Sequence, residues 1–249
     1  MNGAPVPTTA PAAAFAPPPG YARVRAVRSF EELVGTRFAD GVNALCWPRV
    51  LPGGFAEVVA QLDADADGGI TALDEAALRA LPLGAGGRGA VEFMLTDLRL
   101  LRDHGLAPSL DCIRRYPSDD PAEALPTHVY SFHADSAPIE ASTFLCTYHG
   151  AASEGLRNDE ARRRTDVPEL RARLRRRFGG EEGEAFEAYL QENCHDLHYV
   201  AAPGARPFSF GLGHLWRIAI EHPGSPVPPC VHRAPADSPG GPPRLLLIS

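Results

Sequence analysis

The chain has 249 residues, 44% of them hydrophobic, and a formal net charge of −7, enough material for one large domain with a substantial core. The acidic balance argues against nucleic acid as the principal partner, because phosphate binding needs a basic excess, and no apolar run approaches the roughly 20 residues that span a bilayer. All 24 basic residues are Arg, so with no Lys the chain can form no Schiff base and holds no phosphate-loop Lys.

Residues 1–20 are rich in Ala and Pro, lack the pattern of a secretory signal, and read as a disordered tail before a single domain over 21–249. Cys46, Cys112, Cys146, Cys194 and Cys230 are widely spread and odd in number, which fits reduced thiols in a cytoplasmic protein. Helices are expected across 28–105. Arg28-Ser-Phe-Glu-Glu-Leu33 carries a Ser cap with a Glu three residues on. Phe55 to Leu62, Leu73 to Leu81 and Gly89 to His104 have helical spacing, and Asn43 to Trp47 reads as a short strand. Between two of these helices, Asp63, Asp65, Asp67 and Asp74 follow the spacing of a calcium loop, with Asp at the last position where Glu is usual. A solvated acidic turn is the other reading.

From Thr127 the pattern turns to strands: His128 to His133, then Ser142 to Tyr148, with a turn at His149-Gly150. Residues 159–192 revert to helix, with an Arg cluster from Arg157 to Arg177 that nearby Glu and Asp residues nearly balance. Strand-like runs resume at Leu197 to Ala201, Pro207 to Leu212, Leu215 to Ile220, Cys230 to Arg233 and Arg244 to Ser249. Short strands broken by Gly and Pro suit a mainly β fold, a jelly-roll or double-stranded β-helix barrel, with the N-terminal helices outside it. A helical insertion over about 151–210 would then sit at the barrel mouth as a lid.

His133-Ala-Asp135, a distant His232 and then Arg244 form the pattern that carries most chemistry. Two His and one carboxylate make a facial triad for non-heme Fe(II), leaving open positions for small ligands. The alternative is a chance surface pair. An Arg inside the apolar run Arg244-Leu-Leu-Leu-Ile248 is costly to bury unless an anion meets it, a structural Arg paired to a nearby acid being the other reading. Thr147 and Tyr148 offer hydroxyls to that anion, a core tyrosine being the other reading for Tyr148. Cys194-His-Asp-Leu-His198 reads as polar residues at the edge of the insertion; in the functional alternative, strand alternation points Asp196 and His198 together toward substrate and His195 away.

In His133, Asp135, His232 and Arg244 the chain resembles the Fe(II)/2-oxoglutarate-dependent oxygenases. Phe132-His-Ala-Asp135, Leu145-Cys-Thr-Tyr-His-Gly150, His232-Arg-Ala-Pro235 and Arg244-Leu-Leu-Leu247, with Val42-Asn-Ala-Leu-Cys-Trp-Pro-Arg49, are similar to the domain-of-unknown-function family 1826. That family brings no activity with it, and Ala151-Ala-Ser-Glu-Gly-Leu156 stands where a Gly-Thr-Glu-Trp-like run is expected. The oxygenase resemblance implies that His133, Asp135 and His232 hold Fe(II). It also implies that Arg244 grips the distal carboxylate of 2-oxoglutarate, and that O2 oxidises a small polar molecule. Two alternatives stay open: a 2-oxoglutarate-independent iron oxygenase of the cupin type, in which Arg244 grips the substrate, and a non-catalytic metal-binding or metal-homeostasis protein.

Overall fold

The structure is a computed structural model that describes residues 15–62, 69–116, 127–236 and 241–249. After β1 (Val24–Ala26) the chain forms α1 (Phe30–Gly35), where Ser29 accepts from the Glu32 amide and caps the helix as its sequence leads one to expect. β2 (Ala44–Trp47) and α2 (Phe55–Leu62) follow, then β3 (Ile70–Ala72), α3 (Glu75–Ala80) and α4 (Ala85–Asp103). On α4, Ala90, Val91, Met94, Leu95, Leu98 and Leu101 are buried at the three-to-four spacing of one helical face.

Helix α4 starts four residues before the expected Gly89, through a run of glycines that disfavour helix. The compensation comes from α2: the Glu57 carboxylate accepts from the amides of Gly84 and Gly87, satisfying donors that a helix start leaves orphaned. A Cβ on Gly54 would lie 2.2 Å from the Gly86 carbonyl carbon, so only glycine permits this approach.

β4 (Ser109–Ile113), β5 (Ser142–His149), β10 (Leu215–Ala219) and β12 (Arg244–Ile248) complete a seven-stranded sheet in the order β1-β2-β10-β5-β12-β4-β3. Strands β1 and β2 are parallel and the other pairs antiparallel. Alternation splits its side chains cleanly. Phe144, Cys146, Tyr148, Leu245 and Leu247 join the core beneath the helices, whereas Leu145, Cys46, Trp216 and Ile218 pack on the other side against Phe210 and Cys230.

That other side faces a second layer. β6 (Glu154–Leu156), β9 (Phe208–Ser209) and β11 (Val231–Arg233) pair in the order β11-β6-β9, and β7 (Ala161–Arg163) pairs with β8 (Tyr199–Ala201). Residues 132–134 join the two sets. Tyr199 N donates to Phe132 O at 2.8 Å, Ala134 N to Leu197 O at 2.9 Å, and His133 and His232 exchange both backbone bonds at 2.9 Å. Phe210 stacks on Trp216 with ring centroids 4.4 Å apart, and its carbonyl accepts from the Trp216 indole, which locks the layers together.

Strand makes up about 24% and helix about 32%, so the protein is mixed α/β with sheets that do not close, rather than mainly β. Four further expectations need revision. Residues 128–131 form a turn, because Ser131 donates its amide and its hydroxyl back to the His128 carbonyl, and only the end of the expected strand joins the sheet. Residues 159–192 are not one helix: β7 comes first, then α5 (Pro168–Phe178) and α6 (Glu184–Glu192), separated by Gly179 at φ +76°. The segment 151–210 is not an insertion throughout, since β6 and β9 at its two ends pair with each other and β6 pairs with β11. Of the expected tail, residues 1–14 lie outside the described residues, and Phe15 packs edge-on against Trp216.

Helices α5 and α6 close over a small core of Leu174, Phe186 and Leu190. Arg171 pairs with Glu182 and Glu187, so acidic neighbours meet part of the Arg cluster in ion pairs. Among the described residues no helix is long and apolar enough to cross a membrane, and all five cysteines are free thiols.

Candidate metal centre

In the extended segment 132–135, successive side chains alternate. Phe132 and Ala134 turn to a core with Leu156, Tyr199 and Val231, which leaves His133 and Asp135 together on the inward face. His232 lies directly opposite His133 on the neighbouring strand, and such cross-strand partners project to the same side. One alternation and one register thus bring His232 to His133 and Asp135, about a hundred residues away in the sequence.

Their ligand atoms all lie within 4.8 Å of one another. His133 Nε2 is 3.8 Å from Asp135 Oδ1, His232 Nε2 is 3.8 Å from Asp135 Oδ2, and the two imidazole centroids are 4.5 Å apart. The backbone sets both tautomers. His133 Nδ1 donates to the Ser131 carbonyl at 2.8 Å and His232 Nδ1 to the Cys230 carbonyl at 3.3 Å, so each ring turns a bare Nε2 lone pair inward. Thr143, at the start of β5, donates its hydroxyl to Asp135 Oδ2 and orients the carboxylate.

Burial pushes the His133 pKa down to about 4, with His232 adding to it, so the imidazole stays neutral. Burial pushes the Asp135 carboxyl upward, yet His232, the Thr143 hydroxyl and His133 together outweigh it and hold the group below its ordinary value. Two imidazoles and one carboxylate, each oriented by a partner, are a donor set for a divalent transition metal. Ligands about 2.1 Å from an ion at about 100° lie about 3.2 Å apart, so each His–Asp pair, at 3.8 Å, needs to close by roughly 0.6 Å.

The remaining expected residues divide. Arg244 is 7% exposed and crosses between the layers: Nε donates to Ala151 O at 2.8 Å, Nη1 to Tyr116 Oη at 2.7 Å and Nη2 to Ser153 Oγ at 3.0 Å. With Arg114, Tyr116 and Ala236 it lines a cavity of about 90 Å³ whose lining includes none of the three metal-site residues. Thr147 is buried on the same side of β5 as Thr143. Tyr148 corrects the expectation of a cosubstrate contact, because it faces the helices and donates to the buried Asp97 carboxylate at 2.7 Å.

His198 and Asp196 do not share a face as strand alternation predicts, because residues 195–197 form a 3-10 turn. His198 stands beside His133, ring centroids 5.6 Å apart, and burial, with Arg164 next in effect, lowers its pKa to about 3. Asp196 instead neighbours Arg163, Glu221 and Glu187, and burial raises its pKa. Of the acidic run, Asp63, Asp65 and Asp67 lie outside the described residues, while Asp74 caps α3 by accepting from Ala77 N at 2.7 Å. Sequence reasoning missed Thr143 and Ser131. The inward alternation of Thr143, Leu145 and Thr147 was a signal for the first; nothing in the spacing marks the second.

Comparisons of this chain with protein-family models, with curated proteins and with solved structures give no match.

Proposed function

We propose that the chain is a non-heme Fe(II) oxygenase that uses 2-oxoglutarate and O2 to oxidise a small polar molecule. The observation that carries the metal is the pair of bare Nε2 atoms beside an oriented carboxylate, with both Nδ1 hydrogens spent on backbone carbonyls. A jelly-roll scaffold is part of the same reading. From β4 the chain passes to residues 132–134 in the second layer, back to β5, over to β6 and β9, back to β10, over to β11 and back to β12. This winding between two layers is what a double-stranded β-helix requires.

Bound Fe(II) would supply redox chemistry and open coordination positions for O2 and an oxoacid. The protein's own part is to hold His133 neutral, keep Asp135 ionised and turn both imidazoles by their Nδ1 bonds. Arg244 supplies a fixed positive charge in a partly dry setting, suited to a carboxylate. Its contact Ser153 directly precedes β6 and lies two residues from Gly155, the cross-strand partner of His232, an extended rise of about 6.6 Å. That separation suits a short dicarboxylate reaching from the metal to the guanidinium.

Anaerobic titration with Fe(II) should give about one iron per chain, lost in Asp135→Ala and in His232→Ala variants that retain their circular dichroism. Unchanged stoichiometry in both variants refutes the ligand set. Adding 2-oxoglutarate to the Fe(II) protein should produce a weak visible charge-transfer band, and turnover should yield succinate. A second reading, an oxygenase without 2-oxoglutarate, is favoured by the three protein partners that already engage Arg244. Iron binding with no band and no succinate selects it.

A further inference from the structure

Three imidazoles stand side by side on neighbouring strands of the second layer, with His133 bridged to His198 on one side and to His232 on the other. Opposed residues of an antiparallel pair project to one face, so His198 points to the same side as the proposed ligands. It lies outside the group whose ligand atoms fall within 4.8 Å. His198 therefore flanks the centre rather than completing it.

Ser131 sets its tautomer. The Ser131 hydroxyl donates to the His128 carbonyl at 2.9 Å, and since it has only one hydrogen, it must accept at the His198 Nδ1, 2.6 Å away. Nδ1 thus carries the hydrogen, and Nε2 is a bare lone pair with no donor among the described residues. His198 is only 4% exposed, yet its Nε2 is not one of the sealed, unpartnered atoms of the fold, so it stays open to a small molecule.

Building on the metal centre proposed above, we infer that His198 is a substrate-contacting residue whose Nε2 accepts an N–H or O–H from the molecule held at the metal. It would favour ligands that carry a donor beside their metal-binding atoms over alkylated analogues that lack one.

The test uses the full-length protein loaded with Co(II), whose visible spectrum reports ligand binding, and two chelating probes, acetohydroxamate and its N-methyl form, which differ in one N–H. His198→Asn keeps an amide hydrogen for Ser131 and has nothing at the Nε2 position; His198→Gln places an amide oxygen there. Wild type should prefer acetohydroxamate by about five- to tenfold relative to the Asn variant's preference, the effect of one hydrogen bond, and the Gln variant should recover part of it. A preference unchanged in the Asn variant, or absent in wild type, overturns the inference. So does a Gln variant that recovers nothing, and so does a tenfold loss of Co(II) affinity in the Asn variant, which would make His198 a metal ligand. Wild type that binds no Co(II) sinks the metal centre itself, and the role of His198 with it.

Discussion

Thr143 is not itself a proposed ligand, yet its hydroxyl holds one oxygen of the ligand Asp135. Partners of this kind typically change metal affinity 10- to 100-fold. Thr143→Val, close in shape, should weaken Fe(II) or Co(II) binding by about that factor with little change in thermal midpoint; equal affinity in a calorimetric titration would show the bond to be incidental. The histidines make a second expectation. Burial keeps His133 and His198 neutral in the fold, with values of about 4 and about 3 against an ordinary 6.5. Between 6.5 and those values the unfolded chain binds more protons than the folded one, so stability falls as pH falls and levels off below them. Each group contributes up to about 1.4 kcal/mol per pH unit in that window. Urea unfolding of the metal-free protein should therefore show a midpoint that drops from pH 7 to pH 5, with a shallower drop in His198→Asn. A midpoint flat over that range contradicts neutral burial.

At the scale of elements, the helical layer is tied to the seven-stranded sheet by a buried ionic group: Arg49 pairs with Asp97 of α4, and Tyr148 of β5 donates to the same carboxylate. Arg49 also donates to the Gly213 carbonyl at 2.9 Å and lies over the rings of Trp47 and Phe93. Removing one partner of a buried pair leaves an uncompensated charge, so Asp97→Ala should cost about 3–5 kcal/mol in denaturant unfolding. Tyr148→Phe deletes one hydrogen bond and should cost about 1–3 kcal/mol while metal and 2-oxoglutarate affinities stay unchanged. Altered cosubstrate affinity in that variant would restore the contact that the observed orientation removes. Between the layers, a Cβ on Gly155 would lie 2.3 Å from the Phe208 ring and 2.7 Å from Phe210. Gly155→Val should therefore lower stability by about 1–3 kcal/mol, and it should loosen metal binding too, because Gly155 is the neighbour of His232.

For the molecule as a whole, Arg244 ties β12 to the connection between the two layers as well as being the proposed carboxylate clamp, since it ends on Ala151 and Ser153, which lead from β5 into β6. Arg244→Ala should cost stability in either case. If 2-oxoglutarate is used, the variant should also bind it about 10- to 100-fold more weakly at unchanged Fe(II) affinity. Spectroscopic titration alongside urea unfolding separates the two effects, and a loss of stability alone assigns Arg244 to the scaffold.

The sequence by itself determined the short-range features. The Ser29 cap, the extent of α2, the strand at β5 and the inward pairing of His133 with Asp135 all depend on spacings of a few residues, where backbone geometry alone dictates which side chains share a face. It also marked His232 and Arg244, one by chemistry and the other by its cost in an apolar run. Only the tertiary structure decided what depends on register and on distant partners. Cross-strand pairing put His232 beside His133 and made Gly155 its neighbour. A carboxylate from α2 let α4 begin among glycines, and a local bond from Ser131 turned an expected strand into a turn. Tyr148 was turned from cosubstrate to core by Asp97, a partner 51 residues away, because a buried hydroxyl and a buried carboxylate each need the other and no local pattern encodes that meeting.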